Sequence, residues 1–497
     1  MSAASSKAAP AKAAAAKDDG KGEASAAPDA SAGPLVDRKA IKAHMIAGFV
    51  FFFAGLFAGM LYALQFSRLY PFPGVELLSP GRVRMLHTQS VAYGFLLNLF
   101  MACMHWIIPR LTGRPVLSKK LSWIVFWAWQ ATIAAVGVTI LMGYGQAIEW
   151  GETPTFLDPV IILGAALMIA NFATPIIKAA KGKKLYVTLW YFSAMMIWLP
   201  LTYAMGNFVP QYFVPGAGGA AITGLYIHDL VGLTITPLGW GMMYYFVPII
   251  LKKPIWSHTM SLVGFWGLAF FYPLNGVHHF FFSPIPMYAQ YGAVMSTIAV
   301  ELVVVTVIAN FFMTMRGSGG ALKSSLPMRF FFTGMVLYGI TCLQCAFQTT
   351  LTFQKVIHFS DWVVGHAHLV MFGVFGSWCI GAVVLLWPKV TGRAWWSHKL
   401  NAWNYWLTTI GIVVMFLDLL VAGMVQGYLW QNLSPWEQSL VSSMPFWHLR
   451  SISGIAIVSG QMLMAYNMWM TARQPAEAGA PARAEKAEAM GAAVGAS

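Results

Sequence analysis

Six of the twelve histidines fall inside long apolar segments, where they could bind metal ions. They come from four such segments and are His87, His228, His278, His279, His366 and His368. An ionisable side chain within a lipid bilayer is costly and usually functional, and imidazole is the commonest metal ligand in proteins. The chain therefore predicts metal centres, provided that its helices bring these side chains to one depth.

The spacing of the histidines divides them between centres. His366 and His368 are about 200° apart around a helix, so their imidazoles face opposite sides of it. This spacing predicts two centres that flank one helix. Two large planar cofactors would explain the deep apolar surroundings better than bare ions would.

A further set of ligands includes two adjacent residues. His278 and His279 are about 100° apart on a helix, and Pro273 and Gly276 loosen the chain just before them, so both imidazoles can turn towards one ion. With His228 they would form a three-imidazole site, and such a site suits copper.

The elements that must position these ligands are membrane-spanning helices. The chain has 497 residues, of which 58% are hydrophobic and 10% charged, and its apolar stretches exceed the roughly 20 residues that cross a bilayer. The sequence predicts an all-α polytopic membrane protein with a single bundle of about twelve transmembrane helices. The expected spans are 41–66, 84–108, 122–145, 155–178, 186–208, 220–251, 258–281, 289–314, 327–352, 361–388, 401–426 and 445–471.

The basic residues indicate the topology. The loops after every second span carry most of them, among them Arg110, Lys178, Lys252, Arg316 and Lys389. By the positive-inside rule both termini are expected in the cytoplasm, and the net charge of +14 reflects this topology and not nucleic-acid binding. The six histidines then lie in the outer third of the bilayer. His105, near the inner face, is not expected to bind metal.

Outside the spans the composition changes to Ala, Lys, Ser and Gly. Residues 1–40 and 472–497 are predicted to be disordered cytoplasmic tails around a single domain, 41–471. No internal repeat suggests a transporter built from two related halves. Cys342 and Cys345 form a C-x-x-C motif, but Ala346 follows where covalent haem attachment would need histidine.

Four motifs together resemble the haem-copper oxygen reductases, most closely the C-family or cbb-type cytochrome oxidases. They are M-L-H-T at 85–88, Y-I-H-D-L-V-G at 226–232, F-F-Y-P-L-N-G-V-H-H at 270–279 and D-W-V-V-G-H-A-H at 361–368. The resemblance covers nearly all twelve spans. It implies that the chain is the catalytic subunit, subunit I, of such an enzyme.

The resemblance also implies a role for each candidate residue. His87 and His368 would be the axial ligands of a low-spin b-type haem, and His366 the proximal ligand of a high-spin b-type haem. One copper ion would be held by His228, His278 and His279. Tyr272 matches the catalytic tyrosine that this family joins covalently to the copper ligand of span six, although it could also be an ordinary core tyrosine.

The implied activity is that of a terminal respiratory oxidase in a bacterial inner membrane. It would reduce oxygen to water with electrons from cytochrome c, which enter through membrane-anchored c-type cytochrome subunits, and would couple this reaction to proton translocation. Tyr244 and Ser261 match positions of the family's proton path, but hydroxyls in membrane helices are often only packing groups. Arg450 could neutralise a haem propionate or extend to the membrane surface.

Some residues depart from the family pattern and leave alternatives open. Gln344 replaces a common glutamate in span nine, and Glu301 is a lone carboxylate within span eight, so it is a candidate for the proton path. The related nitric oxide reductases hold non-haem iron instead of copper and carry a glutamate where this chain has Gly232. A third class, a non-redox membrane transporter, would use the histidines as a proton relay.

Overall fold

A computed structural model describes residues 35–181 and 184–475. Within those ranges the protein consists of twelve long helices and contains no strand. The first six are α1 (Arg38–Phe66), α2 (Pro80–Thr112), α3 (Lys119–Leu141), α4 (Thr155–Ala180), α5 (Val187–Tyr212) and α6 (Gly216–Leu251). The other six are α7 (His258–Phe280), α8 (Met287–Met315), α9 (Leu326–Gln348), α10 (Asp361–Thr391), α11 (His398–Gln431) and α12 (Trp436–Arg473).

The twelve helices match the twelve predicted spans in order. Eleven are long and apolar enough to cross a membrane. The twelfth, α12, is a continuous helix of 38 residues that contains Glu437, Arg450 and Arg473 and is more polar than the others. The chain is therefore a multi-span membrane protein.

The ends of the bundle differ slightly from the predicted domain limits. α1 begins at Arg38 because the Asp37 carboxylate accepts hydrogen bonds from the backbone N–H groups of Lys39 and Ala40, at 3.0 and 3.2 Å. α12 ends at Arg473. Residues 1–34 and 476–497 of the predicted tails lie outside the described residues.

Three helices occupy the centre of the bundle. The most apolar stretches of α2, α6 and α10 are 89%, 94% and 83% buried, against 28–33% for α1, α3, α4 and α8. These central helices carry His87, His228 and the His366–His368 pair. The outer helices surround them, so the ligands lie in the interior of the bundle.

Each central helix changes to π-helix one to three residues after a predicted ligand, His368, His228 or His87. The π segments are Ser90–Leu96 in α2, Leu230–Ile235 in α6 and Leu369–Gly376 in α10. A π turn holds an extra residue and is frequent at functional sites. It alters the direction in which later side chains point, so the ligand turn and the rest of each helix can face different neighbours.

The segments in which the three central helices end share one pattern. We call these segments the repeated connections (109–118, 248–257 and 388–397). A proline is followed four residues later by a residue with positive φ: Gly113 (66°), Lys252 (54°) and Gly392 (66°). The ninth residue after each proline is a serine, Ser118, Ser257 or Ser397, whose hydroxyl caps the next helix. This pattern of proline, positive φ and capping serine occurs three times, so the internal repeat is threefold. A comparison of the two halves of the chain does not detect a repeat that divides it into three parts.

An asparagine from a later helix holds each capping serine. Asn171, Asn310 and Asn467 accept a hydrogen bond from the serine N–H at 3.0, 2.9 and 3.0 Å. Asn310 and Asn467 also donate to the serine carbonyl, both at 2.8 Å. Asn171 is on α4, Asn310 on α8 and Asn467 on α12, so each connection is attached to the last helix of a group of four (α1–α4, α5–α8 or α9–α12).

Asn310→Ala removes both hydrogen bonds to Ser257 from a fully buried site. The Ser257 N–H then has no partner, whereas the Ser257 carbonyl still accepts from the Ser261 N–H at 3.3 Å. We expect a loss of about 1–3 kcal/mol of stability, measured as a lower thermal unfolding midpoint in detergent. Asn432→Ala, at an exposed helix end, is the control and should leave the midpoint unchanged. Equal midpoints for the two variants would contradict a stabilising role for the Asn310 contact.

Candidate metal centre

Three of the predicted ligands converge between α6 and α7. His228, His278 and His279 each present one ring nitrogen, and these nitrogens lie within 4.8 Å of one another. The Nδ1 atom of His228 is 3.2 Å from the Nε2 atoms of both His278 and His279. Three imidazole nitrogens aimed at one point fit a copper ion, whose preferred ligands include imidazole.

The end of α7 is irregular where the ligands occur. Its α-helical part ends at Phe271, and the chain continues as 3-10 turns at Tyr272–Leu274 and Gly276–Phe280. A Cβ atom at Gly276 would lie 2.3 Å from the Cα atom of Leu225 on α6. Only glycine allows this approach, and the approach brings the two α7 histidines to His228.

Tyr272 packs directly on the histidine of α6. Its ring stacks on that of His228 with centroids 4.4 Å apart and planes at 12°. A Cβ atom at Gly232 would lie only 1.6 Å from the Cε1 atom of Tyr272. The tyrosine ring therefore occupies the space that any side chain at residue 232 would need.

His87 on α2 and His368 on α10 face each other as a pair. Their ring centroids are 6.1 Å apart and their planes are within 19° of parallel. The Nδ1 atom of His87 bonds the carbonyl of Gly55 at 2.7 Å, and that of His368 bonds the carbonyl of Val364 at 2.8 Å. A carbonyl only accepts, so each Nδ1 carries the proton and each Nε2 is free to bind a metal between the rings.

The α1 helix supports His87 through a residue that the sequence analysis missed. A Cβ atom at Gly59 would lie 2.7 Å from the Nδ1 atom of His87. Gly59 follows by one helical turn Gly55, whose carbonyl oxygen accepts from the same imidazole. Two glycines at this spacing would have been the only signal in the sequence.

His366 faces a different helix from His368, as its spacing predicts. Its Nδ1 atom is 2.9 Å from the Oε1 atom of Gln344 on α9, and its Nε2 atom is 3.6 Å from the Cys345 sulfur. His366 is also close enough to interact electrostatically with His228, His278 and His279. It therefore packs against α9.

Arg450 is buried beside the His87–His368 pair. Only 7% of the residue is exposed, so it does not extend to the membrane surface. Its guanidinium lies 5.2 Å from the Phe66 ring centroid and interacts with both histidines. A buried cation at this location fits the acidic groups of a planar cofactor.

The predicted proton-path residues fall into two groups. Tyr244 stacks on Tyr191 at 6.0 Å, and the Tyr191 hydroxyl donates to the Ser261 carbonyl at 3.3 Å, so Tyr191 links the predicted pair. Glu301 lies apart from them, facing the thiols of Cys342 and Cys345. One of its oxygens, Oε2, has no hydrogen-bond partner among the described residues.

Glu152 is a second residue that the sequence did not reveal. It lies in the loop between α3 and α4, only 1% exposed, and accepts hydrogen bonds from Gln89 at 2.5 Å and Thr88 at 3.4 Å. Burial raises the pKa of its carboxyl. Its partners directly follow His87, so this loop holds the ligand turn of α2.

His105 lies apart from the six histidines, as expected. Its ring stacks on His44 with centroids 5.6 Å apart, and the Nδ1 atom of His44 is 2.9 Å from the Oδ1 atom of Asn98. These residues form a separate polar cluster between the first part of α1 and the second half of α2.

Comparisons with known proteins found a matching family model and similar proteins. The family model described as "Cytochrome C and Quinol oxidase polypeptide I" matches residues 39–456. "Cbb3-type cytochrome c oxidase subunit CcoN1" of Stutzerimonas stutzeri is 30% identical over 90% of this chain and 97% of its own length. "Cytochrome c oxidase subunit 1" of Rhodobacter capsulatus is 28% identical over 88% of this chain and 86% of its own.

A solved structure shares the fold. It is a heme-copper terminal oxidase dimer determined by cryo-EM, with a TM-score of 0.73, 15% identity, and coverage of 88% of this chain and 84% of that chain. The twelve-helix arrangement predicted from the sequence is thereby confirmed.

Gly59→Ala would place a methyl group 2.7 Å from the Nδ1 atom of His87 and displace that imidazole from its position opposite His368. We expect loss of the absorption of a haem held by two imidazoles, measured by reduced-minus-oxidised spectra at equal protein concentration. Gly292→Ala, whose added Cβ meets no atom within 4 Å, is the control. Unchanged spectra in both variants would argue against His87 as an axial ligand.

Proposed function

The chain belongs to the cytochrome c and quinol oxidase polypeptide I family, and from that premise we propose that it reduces oxygen to water at a high-spin haem and copper centre. It is an enzyme subunit of the haem-copper oxidase type, like its cytochrome c oxidase relatives. The observation that carries the proposal is the convergence of His228, His278 and His279 beneath the ring of Tyr272.

We assign the six histidines to three metals. His87 and His368 hold a low-spin b-type haem, because their rings are nearly parallel and their protonated Nδ1 atoms leave both Nε2 atoms available. His366 is the proximal ligand of a second, high-spin b-type haem. His228, His278 and His279 hold one copper ion. Arg450, buried beside that pair, would neutralise a propionate of the low-spin haem.

When bound, haem iron and copper supply the electrons that reduce oxygen. The protein contributes the arrangement of ligands and the supply of protons. Stacking of Tyr272 on His228 keeps a phenol hydroxyl beside the copper ligands, where it can release a proton and an electron during cleavage of the oxygen bond. The Nε2 atom of His228 has no partner among the described residues, which fits the covalent link between this histidine and Tyr272 that the family resemblance implies.

The packing of Tyr272 favours oxygen over nitric oxide as the substrate. A nitric oxide reductase of this superfamily would carry a glutamate at residue 232. The tyrosine ring would be 1.6 Å from even the Cβ atom of such a side chain. A carboxylate at residue 232 and the stacked tyrosine therefore exclude each other.

Protons reach this centre from the inner side of the membrane. The proximity of Tyr244 on α6, Tyr191 on α5 and Ser261 on α7 supports one path for them. Glu301 and its neighbouring thiols lie on the α8–α9 side and interact electrostatically with Tyr272. Glu301 is thus a second candidate donor of protons to Tyr272. With proton entry from the inner side, we infer that the enzyme also couples oxygen reduction to proton translocation.

We further infer that the protein is the central subunit of a cbb-type oxidase in a bacterial inner membrane, with both termini in the cytoplasm. Electrons arrive from cytochrome c through membrane-anchored c-type cytochrome subunits. The name of the Stutzerimonas stutzeri relative, a cbb3-type subunit, supports this assignment. The concentration of basic residues in the loops after α2, α4, α6, α8 and α10 supports the orientation.

Oxygen and nitric oxide consumption by the purified complex, with copper and iron measured on the same sample, tests the proposal. We expect rapid oxygen consumption, one copper ion and two b-type haems on this chain. A third iron without copper, together with preferential nitric oxide consumption, would identify a nitric oxide reductase. A colourless preparation would overturn the redox assignment altogether.

Gly232→Ala tests the role of Tyr272 without removing it. The added methyl group must displace the tyrosine ring, and misplacement of a reacting group by about 1 Å can lower a rate roughly 100-fold. We expect a loss of that order in the rate of oxygen consumption while the low-spin haem spectrum is retained. Gly339→Ala, whose Cβ meets only Ile308 at 3.9 Å, should retain full activity. Full activity in Gly232→Ala would remove the tyrosine from the mechanism.

A further inference from the structure

We propose that Thr297 on α8 is a positioning residue for copper, because it fixes the protonation and orientation of His278. This inference rests on the proposed function, in which His278 is a copper ligand. Thr297 is neither a ligand nor close to the motifs that carry the family resemblance. Its side chain is buried, with 1% of the residue exposed.

The two hydrogen bonds of the Thr297 hydroxyl determine the tautomer of His278, that is, which of its ring nitrogens carries the proton. Its hydroxyl lies 2.7 Å from the carbonyl oxygen of Ala293, one turn earlier on α8. A carbonyl can only accept, so the single hydroxyl hydrogen points to Ala293. The remaining lone pairs of Oγ1 can therefore only accept a hydrogen bond.

The Nδ1 atom of His278 lies 3.0 Å from this hydroxyl oxygen. Because Oγ1 accepts, Nδ1 must donate and therefore carries the ring proton. The Nε2 atom of His278 is then unprotonated, and it is the atom that lies 3.2 Å from Nδ1 of His228 in the three-imidazole cluster. Thr297 thus presents a metal-binding lone pair from His278 to the centre.

His278 needs this support more than a ligand within a regular helix would. It lies in the 3-10 segment Gly276–Phe280, which lacks the regular geometry of an α-helix. His228, by contrast, is within the helical part of α6 and presents Nδ1 to the cluster. A hydrogen bond from outside the segment restricts rotation of the His278 ring and excludes the other tautomer.

Two substitutions at Thr297 separate the hydroxyl from the shape of the side chain. Thr297→Val keeps the volume but removes the acceptor, whereas Thr297→Ser keeps the hydroxyl. Thr306→Val is the matched control, since Thr306 lies on the same helix and its hydroxyl donates to the Val303 carbonyl at 2.7 Å. No hydrogen bond from a histidine to Thr306 occurs among the described residues.

The measurement is copper retention by the purified complex during titration with a Cu(I) chelator, reported as copper per haem. Loss of a partner that orients a ligand commonly weakens metal affinity by roughly 10–100-fold, and we expect a decrease in that range for Thr297→Val. Thr297→Ser and Thr306→Val should retain copper as the unmodified protein does. The low-spin haem spectrum should be unchanged in all three variants.

Copper retention by Thr297→Val equal to that of Thr297→Ser would overturn the inference. Loss of the low-spin haem spectrum in Thr297→Val alone would also count against it, because the substitution would then act on folding. Absence of copper from the unmodified protein would instead refute the proposed function. The two failures are therefore distinguishable.

Discussion

The candidate metal centre depends on the close approach of α6 and α7. The backbones of Gly224 and Gly276 meet there, and a Cβ atom at Gly224 would lie 2.9 Å from the Gly276 carbonyl oxygen. His228 lies one turn beyond Gly224, while His278 and His279 follow Gly276 closely. A side chain at either glycine would move the two helices apart and separate the three ring nitrogens. Residues with no chemistry of their own thus decide whether the imidazoles can share an ion.

The hydrogen bonds behind the histidines divide the centre into a fixed part and an adjustable part. His87 and His368 are held by the backbone carbonyls of Gly55 and Val364. A substitution at residue 55 or 364 changes the side chain and leaves the carbonyl in place. His278 and His366 are held by the side chains of Thr297 and Gln344, which can change. The uncharged amide of Gln344 leaves the His366 imidazole less basic than a carboxylate would. The side chain at residue 344 therefore affects how readily the metal bound by His366 accepts an electron.

The sequence predicted the helices, because bilayer thickness determines apolar length. The span predicted at 155–178, for example, is observed as Thr155–Ala180. The sequence also predicted that His366 and His368 face different neighbours, because residues two apart point to opposite sides of a helix. Contacts between distant helices were not predictable from one chain. Gly59 and Tyr191 resemble ordinary residues of apolar segments, and Glu152 resembles a surface residue of a loop. Their importance arises only when packing brings them to His87, to Ser261 and to Gln89.

The repeated connections bear on how such a protein could have arisen. Each of them follows a central helix and is held by the last helix of its own group of four. Four membrane crossings return the chain to the side of the membrane on which it started. A second copy of such a block, joined to the first, therefore has the same orientation in the membrane. Gene duplication and fusion would then give parallel repeats, whereas a block with an odd number of crossings would give inverted ones. Three equivalent blocks could afterwards diverge, with α10 acquiring its second histidine and α7 its adjacent pair.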